Sequence, residues 1–151
     1  MRGRVSRDRR ARGLRGPLLP TGVPAYRTRS QIFDAAVTAA YAPLAAAYPA
    51  QLAHLDVAVD TVPRMRLRAD MTVLPPEICA DGPVPLGRVI PAGVNASGEP
   101  TRARIVIFRM PVEERCATPT ERAELLGTVL TALVANYLNL DPRDINPDFP
   151  W

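Results

Sequence analysis

The chain contains no lysine, and all 19 of its basic residues are arginine. It holds one histidine and two cysteines among 151 residues, which excludes most metal and triad chemistry before any motif is sought. Catalytic zinc takes three protein ligands, and a histidine-based triad needs an acid to orient its base. Aromatic residues make up only 5%, so a core must be built from Val, Leu, Ile and Ala. Long hydrophobic runs are lacking as well. The longest weakly apolar stretch, Ala35 to Ala50, is mostly alanine, contains Pro43 and Pro49, and is too short to span a bilayer. The Arg9-Arg10 pair is followed by Gly13-Leu14-Arg15-Gly16-Pro17, not by an apolar stretch, so no export signal is read. Cys79 and Cys116 stand in no metal or redox spacing and are expected to be reduced and buried, with a disulfide between them as the alternative. A cytoplasmic protein without a membrane segment is the expectation.

Proline, by contrast, is abundant. There are 17, roughly twice the average share, and each resists a helix interior, so long regular elements must be few. The length suits one domain. Charge is uneven: residues 1–16 carry Arg2, Arg4, Arg7, Arg9, Arg10, Arg12 and Arg15 against Asp8, a net +6. The remainder has twelve arginines and fourteen acids, a net −2, which together reproduce the total of +4. Such an arm can pair with phosphates or an acidic protein surface, yet it offers bases no stacking platform. A solvated, disordered tail and an over-extended start are the competing readings. Residues 1–27 are therefore read as a basic arm and a proline-punctuated linker, and residues 28–151 as the folded domain.

Within the domain, Thr28 and Gln31 have the spacing of a capping box, and Phe33, Val37, Ala40, Tyr41, Leu44 and Tyr48 recur at helical intervals. Pro43 predicts a kink or break, and Pro49 an end. Leu55 to Val62 alternates polar and apolar residues, the pattern of a half-buried strand. The next forty residues are poor in signal. Arg64 to Asp70, Pro75-Pro76 and Asp81-Gly82-Pro83 read as loop and turn, Leu86 to Ile90 as a short strand, and Asn95 to Gly98 as another turn. Ile105 to Phe108 is a continuous apolar run and predicts a central strand covered on both faces. Thr118-Pro119-Thr120-Glu121 then predicts a helix start, with apolar positions from Leu125 to Leu138 and Asn139 as its left-handed stop. Asp141-Pro142 repeats the cap-plus-proline signature. The fold class expected is α+β, with a small mixed sheet packed on a long helix and an amino-terminal helix on another side.

Three stretches together resemble the minimal zincin, or metallopeptidase-like, family of bacteria. They are Asp56-Val-Ala-Val-Asp-Thr-Val-Pro63, Ala103-Arg-Ile-Val-Ile-Phe-Arg-Met-Pro-Val-Glu113, and the long helix running into Asn139-Leu140-Asp141. The likeness covers about residues 28–145. The arm, Arg7 to Pro17, is similar to a basic start in the high-GC Gram-positive branch of the family. The family's strand precedes a zincin-type helix bearing HExxH, then Gly-Leu-Asp or a variant. Two imidazoles one turn apart grip Zn²⁺ there, and the glutamate between them takes a proton from the bound water. Matching Gly-Leu-Asp to Asn139-Leu140-Asp141 places the motif at Ala132, Leu133 and Asn136, none of which can do this work. Asp141 matches the acidic position after the motif, and its alternative role is to cap the Pro142 turn.

The resemblance thus implies a metallopeptidase-family protein that has lost its zinc-binding motif, a pseudoenzyme with no catalytic residue, no metal and no cofactor. Ala132, Leu133, Asn136 and Asp141 are its vestigial site positions, and a regulatory or interaction role replaces hydrolysis. The alternatives are an active metallopeptidase with unconventional ligands, and binding of nucleic acid or an acidic protein through the arm. His54, Cys79 and Cys116 are the only soft or imidazole donors, spread over three segments. Cys116 lies just before a predicted helix, whose dipole is expected to lower its thiol pKa.

Overall fold

The computed structural model describes residues 27–63 and 75–151. The expectations for Arg2 through Arg15, for most of the linker and for Arg64 to Asp70 lie outside those residues.

The fold is α+β. Helix α1 spans Arg29–Ala47 and opens with the capping box: Thr28 Oγ1 accepts from the Gln31 amide at 3.1 Å, and Gln31 Oε1 accepts from the Thr28 amide at 2.9 Å. Of the kink or break expected at Pro43, the break does not occur: the helix runs through it to Ala47. Pro43 sits on the exposed side, so the Ala39 carbonyl that loses a donor faces water, while Leu44 beside it is buried in the core.

Strand β1 (Leu55–Asp60) follows, ending two residues before the predicted Val62, which is half exposed. Strands β2 (Ile78–Asp81) and β3 (Val84–Ile90) form a hairpin around Gly82, whose φ of 60° suits glycine at the turn. A two-stranded ribbon, β4 (Gly93–Val94) and β5 (Pro100–Thr101), closes around the Asn95 turn. There Asn95 Oδ1 accepts from the Ser97 and Glu99 amides. Strand β6 (Ala103–Phe108) returns to the sheet, whose order is β1-β6-β3-β2. β1 and β6 are parallel and the other pairs antiparallel, so the sheet is mixed and β6 is central, as its apolar run predicts. Helix α2 (Arg109–Glu114), which the sequence reading missed, starts at once after β6.

Helix α3 (Pro119–Leu138) begins at the predicted cap. Thr118 Oγ1 accepts from the Glu121 amide at 3.1 Å, while Glu121 Oε1 takes the Ala117 amide at 2.7 Å. It ends at Asn139, whose φ of 60° and ψ of 44° form a left-handed stop. Helix α4 (Pro142–Ile145) is capped by Asp141, which accepts from the Arg143 amide at 2.9 Å.

Leu126, Val129, Leu130, Leu133 and Val134 of α3 join Ile105, Ile107, Val89 and Leu86 of the sheet in one buried cluster. A bulge makes this possible. Cys79 pairs with Gly87 and Ala80 with Pro85, so Leu86 is the extra residue on β3, and it is buried completely. At Gly87 the helix comes close to the sheet. A Cβ there would lie 2.8 Å from Leu133 Cδ1, 3.0 Å from the Val106 carbonyl oxygen and 3.2 Å from Ile107 Cδ1. Gly87→Ala is expected to cost about 1–3 kcal/mol in chemical denaturation, because a well-packed core cannot absorb the methyl group without displacing neighbours. Combined with Leu133→Ala, the total loss should be smaller than the sum of the two single losses, since the second change vacates the space the first one needs.

Candidate functional site

The four positions singled out on the catalytic-helix alignment do not converge. Glu121, Leu125, Thr128, Ala132 and Asn136 recur every three or four residues and share one stripe of α3, exposed or half-buried throughout. Leu133 lies on the neighbouring stripe, is 1% exposed and packs against Gly87. Asp141 stands beyond the left-handed Asn139, exposed, with its carboxylate committed to the cap of α4. The stripe therefore presents a methyl group and an amide one turn apart, and the carboxylate position between them is filled by hydrocarbon in the core.

This arrangement does not fit zinc. Two imidazoles four residues apart converge on an ion because they project from one stripe, but Ala132 has no lone pair and Asn136 supplies one neutral oxygen. Leu133 is buried and closely packed, and its hydrocarbon side chain offers no donor to bind a metal or orient a water. Among the described residues, no group of three His, Cys, Asp or Glu side chains is placed to hold a metal ion. His54 is exposed at the start of β1, Cys79 is buried on β2, and Cys116 is half-buried in the turn between α2 and α3.

Both cysteines are free thiols. Burial pushes Cys79 up to about 12, so it remains protonated and unreactive at neutral pH. Cys116 departs from expectation. Its pKa is raised, first by burial and then by the Glu121 carboxylate, and the opposing pull of the Arg122 guanidinium is smaller. A helix start confers thiolate character only where its amides are open to the sulfur, and here the Glu121 side chain occupies that end.

The amino-terminal end of the same α3 stripe carries a feature that motif reasoning did not find. A cavity of about 400 Å³ is lined by Glu121 and Leu125 of α3, Asp81 of β2, Leu86 of β3, Arg115, Cys116 and Trp151. Its walls are braced by Arg115, whose Nε donates to Asp81 Oδ2 at 2.7 Å and whose Nη1 donates to the Pro111 carbonyl at 3.0 Å. Leu125 and Ala132 are seven residues apart, about 10 Å along the helix, so the cavity and the Ala132–Asn136 positions are ends of one surface stripe. No periodicity pointed to it, because its lining comes from five separate segments. A second cavity, of about 350 Å³, lies on the opposite face of the sheet, among Ala58, Asp60, Arg88, Arg104, Val106 and neighbouring residues.

In comparisons with known proteins, the chain matches no family model and no curated sequence. Among the described residues, no helix is long and apolar enough to cross a membrane.

Leu133→Glu, which places a carboxylate on the buried stripe, is expected to cost about 3 kcal/mol or more in denaturant unfolding, since it buries an ionisable group among hydrocarbon. Burial keeps the introduced carboxyl protonated in the folded state to a higher pH than in the unfolded chain. The penalty should therefore grow as pH rises above the ordinary glutamate value of about 4.3. Asn136→Glu, on the exposed stripe, should change stability by no more than about 0.5 kcal/mol.

Proposed function

We propose that this chain is a zincin-like domain that has given up metal and hydrolysis and acts inside the cell as a non-catalytic interaction or regulatory protein. The observation that carries the reading is Leu133 seated against Gly87 where a catalytic base is required. A polar group at that position would lose its hydration without gaining a partner, so the packing that holds α3 to the sheet is incompatible with the chemistry. Asp141 supports the same reading, because its carboxylate is already used by the Arg143 amide. An active peptidase with unconventional ligands would need Asp141 and at least two further donors near α3, and the Ala132–Asn136 stripe supplies one neutral oxygen.

Purified protein should contain zinc far below one equivalent by elemental analysis and should leave unstructured peptides uncut. Stoichiometric zinc removed only by a chelator, or proteolysis abolished by Asp141→Ala, would sink the reading.

The charge asymmetry favours a role for the arm in reaching the partner. Seven arginines against one aspartate in residues 1–16, beside a body of net −2, favour an acidic protein surface or a nucleic acid, bound through phosphate or carboxylate pairing with little sequence selectivity. Affinity for a mixed-sequence single-stranded RNA should fall steeply between 50 and 200 mM salt, by about tenfold or more. Replacing the seven arm arginines with glutamine should remove most of both the affinity and its salt dependence. Binding that is indifferent to salt excludes phosphate pairing.

A further inference from the structure

The face of the sheet turned away from α3 carries charge that the fold does not use. Strand alternation places Arg88 and Ile90 of β3, Arg104 of β6, and Ala58 and Asp60 of β1 on this side, where they line the cavity of about 350 Å³. Arg88 is level with Val106 and Arg104 with Ile90, so the two arginines sit diagonally on neighbouring strands. Long side chains related in this way come within reach of each other, and one ligand can meet both.

Register denies both arginines a counter-ion among the described residues. Arg88 stands between Ile78 of β2 and Val106 of β6, two hydrocarbon side chains. Its Nε is buried and has no hydrogen-bond partner among those residues. Arg104 is level with Asp56 of β1, but that carboxylate is held by Arg102, whose Nε donates to Oδ1 at 3.1 Å and to Oδ2 at 3.0 Å. Asp60, the one carboxylate in the lining, is level with Phe108, two strands from Arg88 and four residues beyond Arg104, and it pairs with neither. A guanidinium donor taken out of water without an acceptor is costly, which favours an anion arriving from solvent.

The lining also sets the chemistry of that anion. Guanidinium forks match a planar carboxylate, accepting it through paired hydrogen bonds. Asp60 repels a second negative charge in the same cavity, which disfavours a phosphate dianion. The hydrocarbon within reach is exposed Ala58 and half-buried Ile90, enough for a short aliphatic body. The volume is at the lower end of small-molecule sites.

We propose that this face binds a small aliphatic monocarboxylate, held by Arg88 and Arg104 over Ala58 and Ile90, with Asp60 excluding dianions. The site is independent of the zincin-like reading and of the arm, since every residue in it belongs to the sheet.

The test uses the full chain, with isovalerate as the probe and nitrogen–proton correlation spectra as the readout. Backbone amides of β3 and β6 around Arg88 and Arg104 should shift saturably in the millimolar range, while isovaleramide, the same body without the charge, should leave them in place. Arg88→Gln should weaken isovalerate by about tenfold or more, as loss of a charge-assisted hydrogen bond requires. If that variant does not fold, Arg104→Gln alters an exposed side chain and carries the same expectation. Asp60→Asn should let inorganic phosphate bind several-fold more tightly without weakening isovalerate. Shifts confined to the arginine-rich arm, or equal isovalerate affinity after both arginine substitutions, overturn the site. Phosphate binding more tightly than isovalerate to the unaltered chain, or unchanged phosphate affinity in Asp60→Asn, overturns the assigned ligand class.

Discussion

The structure depends on the contact between Leu133 and Gly87. A β3 position without a side chain lets α3 settle onto the sheet, and Leu133 fills the space between the Gly87 backbone and Ile107. Strand β6, central and buried, holds the other side of the same contact through the Val106 carbonyl and Ile107. Close packing of this kind tolerates neither an added methyl group nor a hydrated ion, because protein interiors have little free volume to yield. The contact that fixes the helix is thus also what excludes a water-activating carboxylate from it.

Around that contact the stripes of α3 divide the labour. Residues 126, 129, 130, 133 and 134 are spent on stability, and the stripe from Glu121 to Asn136 is left at the surface. A helix in a two-layer fold keeps such a stripe wherever its neighbours do not cover it. Here the carboxyl end of the stripe bears Ala132 and Asn136, which have no chemistry to offer. Its amino end borders the cavity that Trp151 helps to line. The cavity lies about two turns from Ala132 on the same stripe. The raised pKa of Cys116 belongs to the same end, where burial and the Glu121 carboxylate outweigh the Arg122 guanidinium.

Much of the fold was legible before any coordinates, and the reasons are local. Thr28–Gln31, Thr118–Glu121, Asn139 and Asp141 each satisfy backbone groups within a few residues, so short sequence patterns suffice to locate them. Ile105 to Phe108 announced a covered strand because an unbroken apolar run has no face to give to water. Of the kink or break that Pro43 predicts, the break is absent, for the helix continues to Ala47 with Pro43 on its exposed side, where water can solvate the orphaned carbonyl. Strand β2 and helix α2 left little trace, the first because Ile78 to Asp81 is only four residues long, the second because Pro111 lies inside a six-residue element. Of the candidate site, the sequence showed that HExxH chemistry was missing from Ala132, Leu133 and Asn136. It gave no sign of the cavity.

By itself, then, the sequence determined the inventory: no paired imidazoles, no lysine, two isolated thiols, an arginine-rich arm, and the helix and strand boundaries that caps and apolar periods encode. Tertiary structure alone decided which of these meet. It set Leu133 on Gly87, raised the Cys116 pKa that a helix dipole would have lowered, and brought Trp151 to Leu86 and Leu125 across more than twenty residues of intervening chain. Caps and periodicities act over three or four residues and can be read along the chain. Packing, desolvation and cavity lining arise between segments, and their energies exist only once the chain has folded.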